Sequence, residues 1–134
     1  RVLRKICESC KASYVPEAAV VEDTKKVLGG LFDGWLKSNT EKVELAKKNN
    51  APFMLFKGTG CEKCNNSGFL GRTGIYEALR VTEKVAKMIM ERADANTIEK
   101  VAMEDGMITM KQDGYLKVLE GITTMEEVIR VAQV

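Results

Sequence analysis

The sequence predicts an α+β fold, in which a small layer of short strands around four cysteines is followed by a C-terminal helical bundle. Two Cys-x-x-Cys pairs, Cys7/Cys10 and Cys61/Cys64, contain all four cysteines. Short apolar runs bordered by glycines surround the second pair, which is typical of strands. From Val81 onward, apolar residues recur at three- and four-residue spacing, which indicates helices.

Two subdomains are expected from this pattern. Residues 1–79 carry the cysteines and a helical insertion, and residues 80–134 form the helical subdomain. The insertion lies within residues 12–51, where Pro16 can open a helix that the pair Gly29-Gly30 interrupts. A second helix of the insertion is predicted to begin at a capping box that Ser38 forms with Glu41.

Two strands are predicted around the second cysteine pair. The apolar run at residues 53–56 suits the first strand, and residues 74–79 suit the second. A turn at residues 58–60 is predicted to follow the first strand and to place Cys61 and Cys64 between the two strands. Two or three short strands are expected in total.

About four helices are predicted after Val81. Their apolar faces are Val85, Met88 and Ile89; Ile98, Val101 and Ala102; Met110, Gly114, Val118 and Leu119; and Met125, Val128, Ile129 and Ala132. Gly106 can cap the second of these helices, and Thr124 with Glu127 predicts a capping box for the last. The acidic pairs Glu104-Asp105 and Glu126-Glu127 are expected on solvated faces.

Charge is nearly balanced along the chain. Lys and Arg number 21 and Asp and Glu number 19, which leaves a net charge of +2. This balance gives no case for binding nucleic acid or a membrane surface. No apolar run approaches the ~20 residues that span a bilayer.

The two cysteine pairs can supply four thiolates in a tetrahedron. Zinc accepts four thiolates without a geometric penalty, and a closed shell of four protein ligands is structural. Because no secretion signal and no further cysteine occur, a reducing compartment is expected and disulfides are not. We therefore predict a metal-binding layer with one structural zinc ion bound by Cys7, Cys10, Cys61 and Cys64, whose loss loosens this layer and spares residues 80–134.

Three other interpretations of the cysteines stay open. Iron in a rubredoxin-like site is chemically possible. Four buried cysteines without a ligand are a second interpretation. A thioredoxin-like redox pair is a third, although it would need a βαβ setting that neither pair shows.

No catalytic residue is predicted. The chain contains no histidine, which excludes histidine catalysis and histidine ligation. It also contains no G-x-x-x-x-G-K-[ST] pattern, so the backbone cradle and lysine of a P-loop are missing. The chain itself is therefore not expected to be an enzyme.

Three stretches, in order, resemble one family. They are residues 1–7 (RVLRKIC), 61–77 (CEKCNNSGFLGRTGIYE) and 113–131 (DGYLKVLEGITTMEEVIRV). Together they are similar to the C-terminal region of the ATPases of type II secretion and type IV pilus assembly, without the P-loop core of that family. The connector over residues 12–51 has no counterpart in the resemblance.

The resemblance implies an intact parent that is a hexameric, RecA-like ATPase, with ATP and magnesium bound only in its upstream core. Residues 1–79 would then include a remnant of the RecA-like sheet. The implied partners are neighbouring subunits of the hexamer and an inner-membrane platform protein, with no nucleic acid and no transmembrane segment. The implied location is cytoplasmic, peripheral to the inner membrane.

We therefore expect the chain to be the zinc-binding and helical part of a motor that powers type IV pilus assembly or type II secretion, with a structural and interaction role. The alternative is a free-standing zinc-ribbon protein that binds nucleic acid, which should show a basic face interleaved with aromatic residues. A redox or iron protein is a third possibility, and colour on purification would support it.

Overall fold

Seven α-helices and four short β-strands organise residues 1–133, which the computed structural model describes. In chain order the elements are β1 (Val2–Ile6), β2 (Lys11–Tyr14), α1 (Ala18–Leu28), α2 (Gly30–Ser38), α3 (Thr40–Lys48), β3 (Leu55–Gly58), a 3-10 helix (Glu62–Cys64), β4 (Phe69–Gly74), α4 (Glu83–Met90), α5 (Ala95–Glu104), α6 (Met110–Leu119) and α7 (Met125–Ala132). The predicted α+β class is confirmed, with clustered cysteines beside the short strands.

The strands form two separate antiparallel pairs. β1 pairs with β4, where Leu3 lies opposite Thr73, and β2 pairs with β3, where Tyr14 lies opposite Leu55. One cysteine pair lies in the link between β1 and β2, and the other lies in the link between β3 and β4. Strand pairing therefore brings both cysteine pairs to the same end of the two ladders.

The strand predicted over residues 53–56 is shifted along the chain. β3 begins two residues later, at Leu55, and Phe53 is a fully buried core residue instead. A short apolar run suits a strand and a core anchor equally well. The ladder with β2 decides which part of the run is extended.

The strand predicted over residues 74–79 is wrong, because β4 ends where this strand should begin. After β4 the backbone finds a side-chain partner instead of a strand: the Tyr76 N–H donates to the Asp113 carboxylate at 2.9 Å. Two glycines, Gly71 and Gly74, lie within β4. Gly71 adopts φ +83°, a conformation that residues other than glycine rarely adopt.

The helical insertion contains three helices. Gly29, at φ +52°, separates α1 from α2, which confirms the predicted interruption. The capping box predicted for Ser38 and Glu41 is wrong, because Ser38 is the last residue of α2. Asn39 precedes α3 without capping it, and its amide donates back to the Trp35 carbonyl at 2.9 Å. The side chain thus satisfies a free carbonyl at the end of α2.

Side-chain caps begin each of the last four helices. The caps that accept the backbone N–H three residues on are Thr82, Asp94, Thr109 and Thr124. The box predicted at Thr124 and Glu127 is half formed, because the Glu127 carboxylate turns towards Arg4. The complete box lies at Thr109 and Gln112. Gly106 follows α5 at φ +99°, as expected of a C-terminal cap.

One hydrophobic core includes residues from both predicted subdomains. Its buried members are Leu3, Leu28, Phe32, Trp35, Phe53, Leu55, Ile75, Tyr115, Val118, Leu119, Met125, Val128 and Ala132. Helix α6 packs on α7 and α1, and α7 packs on β1, whereas α4 and α5 pack chiefly on each other. The division into residues 1–79 and 80–134 stays a prediction, and α6 and α7 share the core of the first part.

Candidate metal centre

The first cysteine pair is held by backbone hydrogen bonds to the other pair's flanks. The Cys7 N–H donates to the Gly68 carbonyl at 2.9 Å, and the Thr59 N–H donates to the Cys10 carbonyl at 3.0 Å. Within the turn, the Cys10 N–H donates to the Cys7 carbonyl at 3.3 Å. Both ends of this turn are therefore tied to a segment that is distant in sequence, which restricts where its sulfurs can lie.

The second cysteine pair is formed by one turn of 3-10 helix. Cys61 precedes this turn and Cys64 ends it. Asn65 and Asn66 then adopt left-handed conformations at φ +52° and +60°, which asparagine tolerates better than most residues. The Asn66 N–H donates to the Cys61 carbonyl at 2.8 Å and closes the loop around both sulfurs.

Two glycines allow the chain to close around the site. A Cβ at Gly58 would lie 2.0 Å from the carbonyl oxygen of Gly68, which is far inside van der Waals contact. Gly68 itself adopts φ +78°, a conformation that favours glycine. The sequence predicts a turn at residues 58–60. The close contact of Gly58 with Gly68 arises only when β3 and β4 are in place.

All four predicted ligand residues come together, with their Sγ atoms within 4.8 Å of one another. The distances are 3.8 Å for Cys7 to Cys61, 3.9 Å for Cys10 to Cys64 and 3.7 Å for Cys61 to Cys64. Four thiolates at about 2.3 Å from a central ion are about 3.8 Å apart in a tetrahedron. A disulfide would need about 2.05 Å. The spacing therefore suits an ion that all four sulfurs share.

Backbone N–H groups surround the sulfurs and affect their ionisation. Burial raises the pKa of the Cys64 thiol. N–H donation from Cys61 and Gly68, at 3.2 and 3.3 Å, together with the neighbouring thiols of Cys61 and Cys10, outweighs burial and lowers the pKa to about 6. Burial dominates at Cys10, which receives one backbone N–H from Gly60, and raises its pKa to about 11. The site thus stabilises the thiolate form of one of the four cysteines, Cys64.

The donor set fits a metal ion that prefers sulfur. Cys7 and Cys64 are buried, and Cys10 and Cys61 are half-buried, so the cluster is partly shielded from solvent. Soft thiolate ligands select zinc, copper(I) or iron, and do not suit magnesium or calcium. The four cysteines could therefore hold one such ion with a complete protein shell.

An ion-pair network beside the site was missed by sequence reasoning. Glu127, expected on a solvated face, has a side chain only 2% exposed. It accepts hydrogen bonds from Arg4 Nε at 2.9 Å and from Arg130 Nη2 at 2.8 Å. Burial alone would raise the pKa of Glu127, but these two guanidiniums lower it to about 2. Arg4 is 123 residues away, so no local pattern predicts the pairing.

None of the helices within residues 1–133 combines the length and the hydrophobicity that crossing a bilayer requires.

Comparison with known proteins gives consistent matches over nearly the whole chain. A family model described as "Type II/IV secretion system protein" matches residues 1–130. The chain is 33% identical to the type IV pilus assembly ATPase PilB of Thermus thermophilus, over 96% of the chain and 12% of that protein. It is 33% identical to the type II secretion system ATPase E of Vibrio cholerae and 35% identical to the type II secretion system protein E of Dickeya dadantii, in each case over 99% of the chain and 22% of the relative. The chain therefore spans less than a quarter of the length of these relatives.

Proposed function

Because this chain belongs to the type II/IV secretion system protein family, we propose that it is the metal-binding and helical C-terminal part of an ATPase that powers type IV pilus assembly or type II secretion. The observation that carries the proposal is the match of 96–99% of the chain to proteins bearing those names. The chain corresponds to only 12–22% of their length, so the remainder of the parent would supply the motor.

Zinc is the ion proposed for the four cysteines. Its four-thiolate shell leaves no open position for substrate, so its contribution is to hold the fold. The sulfur spacing of 3.7–3.9 Å supports this assignment. Iron would fit the same spacing and is distinguished by colour and elemental analysis.

The role of this chain in the parent would be structural. The metal ties β1 and β2 to β3 and β4, and β1 in turn is tied to the segment before α7. The Ile6 N–H donates to the Ile122 carbonyl at 2.9 Å, and the Thr123 hydroxyl donates to the Arg4 carbonyl at 2.9 Å. Motion of the motor core would therefore reach α7 through these hydrogen bonds between β1 and the segment before α7.

ATP hydrolysis is assigned to the remainder of the parent, together with ATP and magnesium binding. The 134 residues contain no P-loop pattern that could cradle the β- and γ-phosphates. Assembly into a hexamer, contact with an inner-membrane platform protein and a cytoplasmic location beside that membrane belong to the same proposal.

The experiment that tests this proposal uses the full-length parent. Cys61 and Cys64 are replaced by serine, and Glu62→Gln, an exposed change between them, is the control. ATP hydrolysis, metal content, surface pili and secreted protein are measured for each variant. We expect the double serine variant to lose zinc and to lose pilus assembly or secretion, while the control keeps both.

The outcomes separate the parts of the proposal. A full-length protein without ATPase activity, or whose removal leaves both pili and secretion intact, would overturn the motor assignment. A double serine variant that retains stoichiometric zinc would overturn the metal assignment. Loss of pili alone, or of secretion alone, identifies which machine the parent drives.

A further inference from the structure

A surface groove runs between β4 and α7, next to the cysteine cluster. It consists of two adjoining concavities of about 410 and 240 Å³, which share Arg4 and Phe69. We call it the basic groove, because four cationic side chains line it. These are Arg4, Lys57, Arg72 and Arg130.

The buried carboxylate of Glu127 holds two of these cations in place. Arg4 donates to it through Nε and Nη2, and Arg130 does the same, at 2.5–3.2 Å. The two arginine side chains nevertheless remain 52% and 59% exposed. Their Nη1 groups have no hydrogen-bond partner within residues 1–133, so donors held in a fixed geometry remain free for a ligand.

Aromatic rings complete the walls of the basic groove. The Arg4 guanidinium lies 4.3 Å from the centre of the Phe69 ring, and the Lys57 ammonium lies 5.5 Å from the centre of the Tyr14 ring. These contacts hold the cations over apolar surface. The cationic side chains therefore lose less conformational entropy when a ligand binds. Leu70, which is 53% exposed, adds an apolar side chain at the outer end.

The charge of the groove is unbalanced although the chain is close to neutral. Four cations face two carboxylates, and one of these, Glu127, is buried and already paired. The whole chain has a net charge of only +2, so the excess is local. A local cationic surface with fixed guanidinium forks matches carboxylates in bidentate geometry.

From these contacts we propose that the basic groove binds an acidic segment of a partner protein, whose carboxylates engage Arg4, Arg72 and Arg130 while an apolar side chain packs on Phe69 and Leu70. A nucleic acid fits less well. Glu126 lies exposed in the wall and would repel an unbroken line of phosphates, whereas a peptide can place an uncharged residue there.

The test measures binding of labelled peptides to the zinc-loaded chain by fluorescence anisotropy. The probe is Glu-Glu-Leu-Glu-Glu-Phe, and its matched control replaces each Glu by Gln. An oligothymidylate of similar charge reports on nucleic-acid binding. We expect binding of the acidic peptide at low ionic strength, at least tenfold weaker binding of the amide peptide, and weakening as salt is added.

Variants assign the binding to the groove. Lys57 and Arg72 make no ion pair among the described residues, so Lys57→Gln with Arg72→Gln should leave the fold intact. This double variant is expected to bind the acidic peptide roughly five- to tenfold more weakly. Lys84→Gln with Lys100→Gln removes the same charge from α4 and α5 and should bind as the parent chain does.

Several results would overturn the proposal. One is equal affinity for the acidic and amide peptides. Another is an equal loss in the two double variants, which would indicate net charge rather than the groove. Tighter binding of the oligothymidylate than of the peptide, lost in the Lys57/Arg72 variant, would assign the groove to nucleic acid instead.

Discussion

Glu127 and the two glycines beside the cysteines are single residues on which neighbouring structure depends. Glu127 is an ionised carboxylate in a buried position, stable there because two guanidiniums reach it from β1 and from its own helix. Gly58 and Gly68 have no side chain, and that absence lets two backbone segments touch. Substitutions at Glu127 and at Gly58 are therefore expected to have measurable effects on stability.

Glu127 should make the free energy of unfolding depend on pH in the acid range. Its pKa is about 2 in the folded chain against an ordinary value of 4.5. The folded state therefore binds this proton less readily, and the contribution of Glu127 is present above pH 4.5 and lost as pH falls towards 2. Glu127→Gln should lower the free energy of unfolding by about 1–3 kcal/mol near neutral pH. Near pH 2 the same substitution should change it very little.

Denaturant unfolding of the parent and Glu127→Gln chains, from neutral pH down to about pH 2, gives the difference in their free energies of unfolding. Protonation of the cysteines affects both chains equally and therefore cancels in this difference. A stability difference that stays constant from neutral to acid pH would contradict the assignment of Glu127 as an ionised partner.

Gly58→Ala should disrupt the metal centre although it changes no ligand. The new Cβ would meet backbone, which cannot rotate away, so we expect a loss of at least about 1–3 kcal/mol and weaker metal binding. Gly34→Ala is the matched control, because nothing lies within 4 Å of its Cβ and it sits inside α2. That change should stabilise the chain by about 0.5–1 kcal/mol. Chelator competition and thermal unfolding give both quantities, and equal behaviour of the two variants would refute the close-contact argument.

Among the elements, two helix starts carry the sequence pattern of a capping box, but only one of the two patterns forms the hydrogen bonds of that box. Ser38 and Glu41 have the spacing of a capping box, yet α2 continues through Ser38. Thr109 and Gln112 form the complete box, because α6 begins there with both groups free to turn back. The same pattern thus has different outcomes, depending on whether the preceding helix has already ended.

Thr109→Ala and Ser38→Ala compare these two sites. Thr109→Ala removes a cap that accepts the Gln112 N–H at 3.2 Å and should cost about 1 kcal/mol. Ser38→Ala removes no cap and should change stability by less than about 0.5 kcal/mol. Urea midpoints of the two variants provide the comparison. A larger loss for Ser38→Ala would mean that the sequence-based capping box forms after all.

At the scale of the whole molecule, strands β1 and β3, which flank the cysteine pairs, share one hydrophobic core with α6 and α7. Leu3 and Phe53 lie in the same core as Tyr115 and Val128, and Arg4 ties β1 to α7. Helices α4 and α5, by contrast, pack chiefly on each other. This arrangement changes which part of the chain should respond when the metal is removed.

Metal removal should loosen the strands together with α6 and α7, and leave α4 and α5 as they were. A structural zinc can contribute ~10–16 kcal/mol of apparent binding free energy, comparable to the ~5–15 kcal/mol that stabilises a whole domain. Hydrogen exchange with mass spectrometry, before and after a strong chelator, resolves the response by element. Cys61→Ser should reproduce it. Retained protection in α6 and α7 while the strands exchange would restore the simpler division at residue 79.

Sequence alone determined the four metal-ligand candidates, the presence of helices between residues 83 and 132 and the interruption of the insertion at Gly29. These features are local: ligand spacing, helical period and glycine conformation are all set within a few residues. Tertiary structure alone decided the position of β4, the contact of Gly58 with Gly68, and the burial of Glu127. Each of these depends on partners far along the chain, because a strand is defined by its ladder and a buried charge by the cation that reaches it.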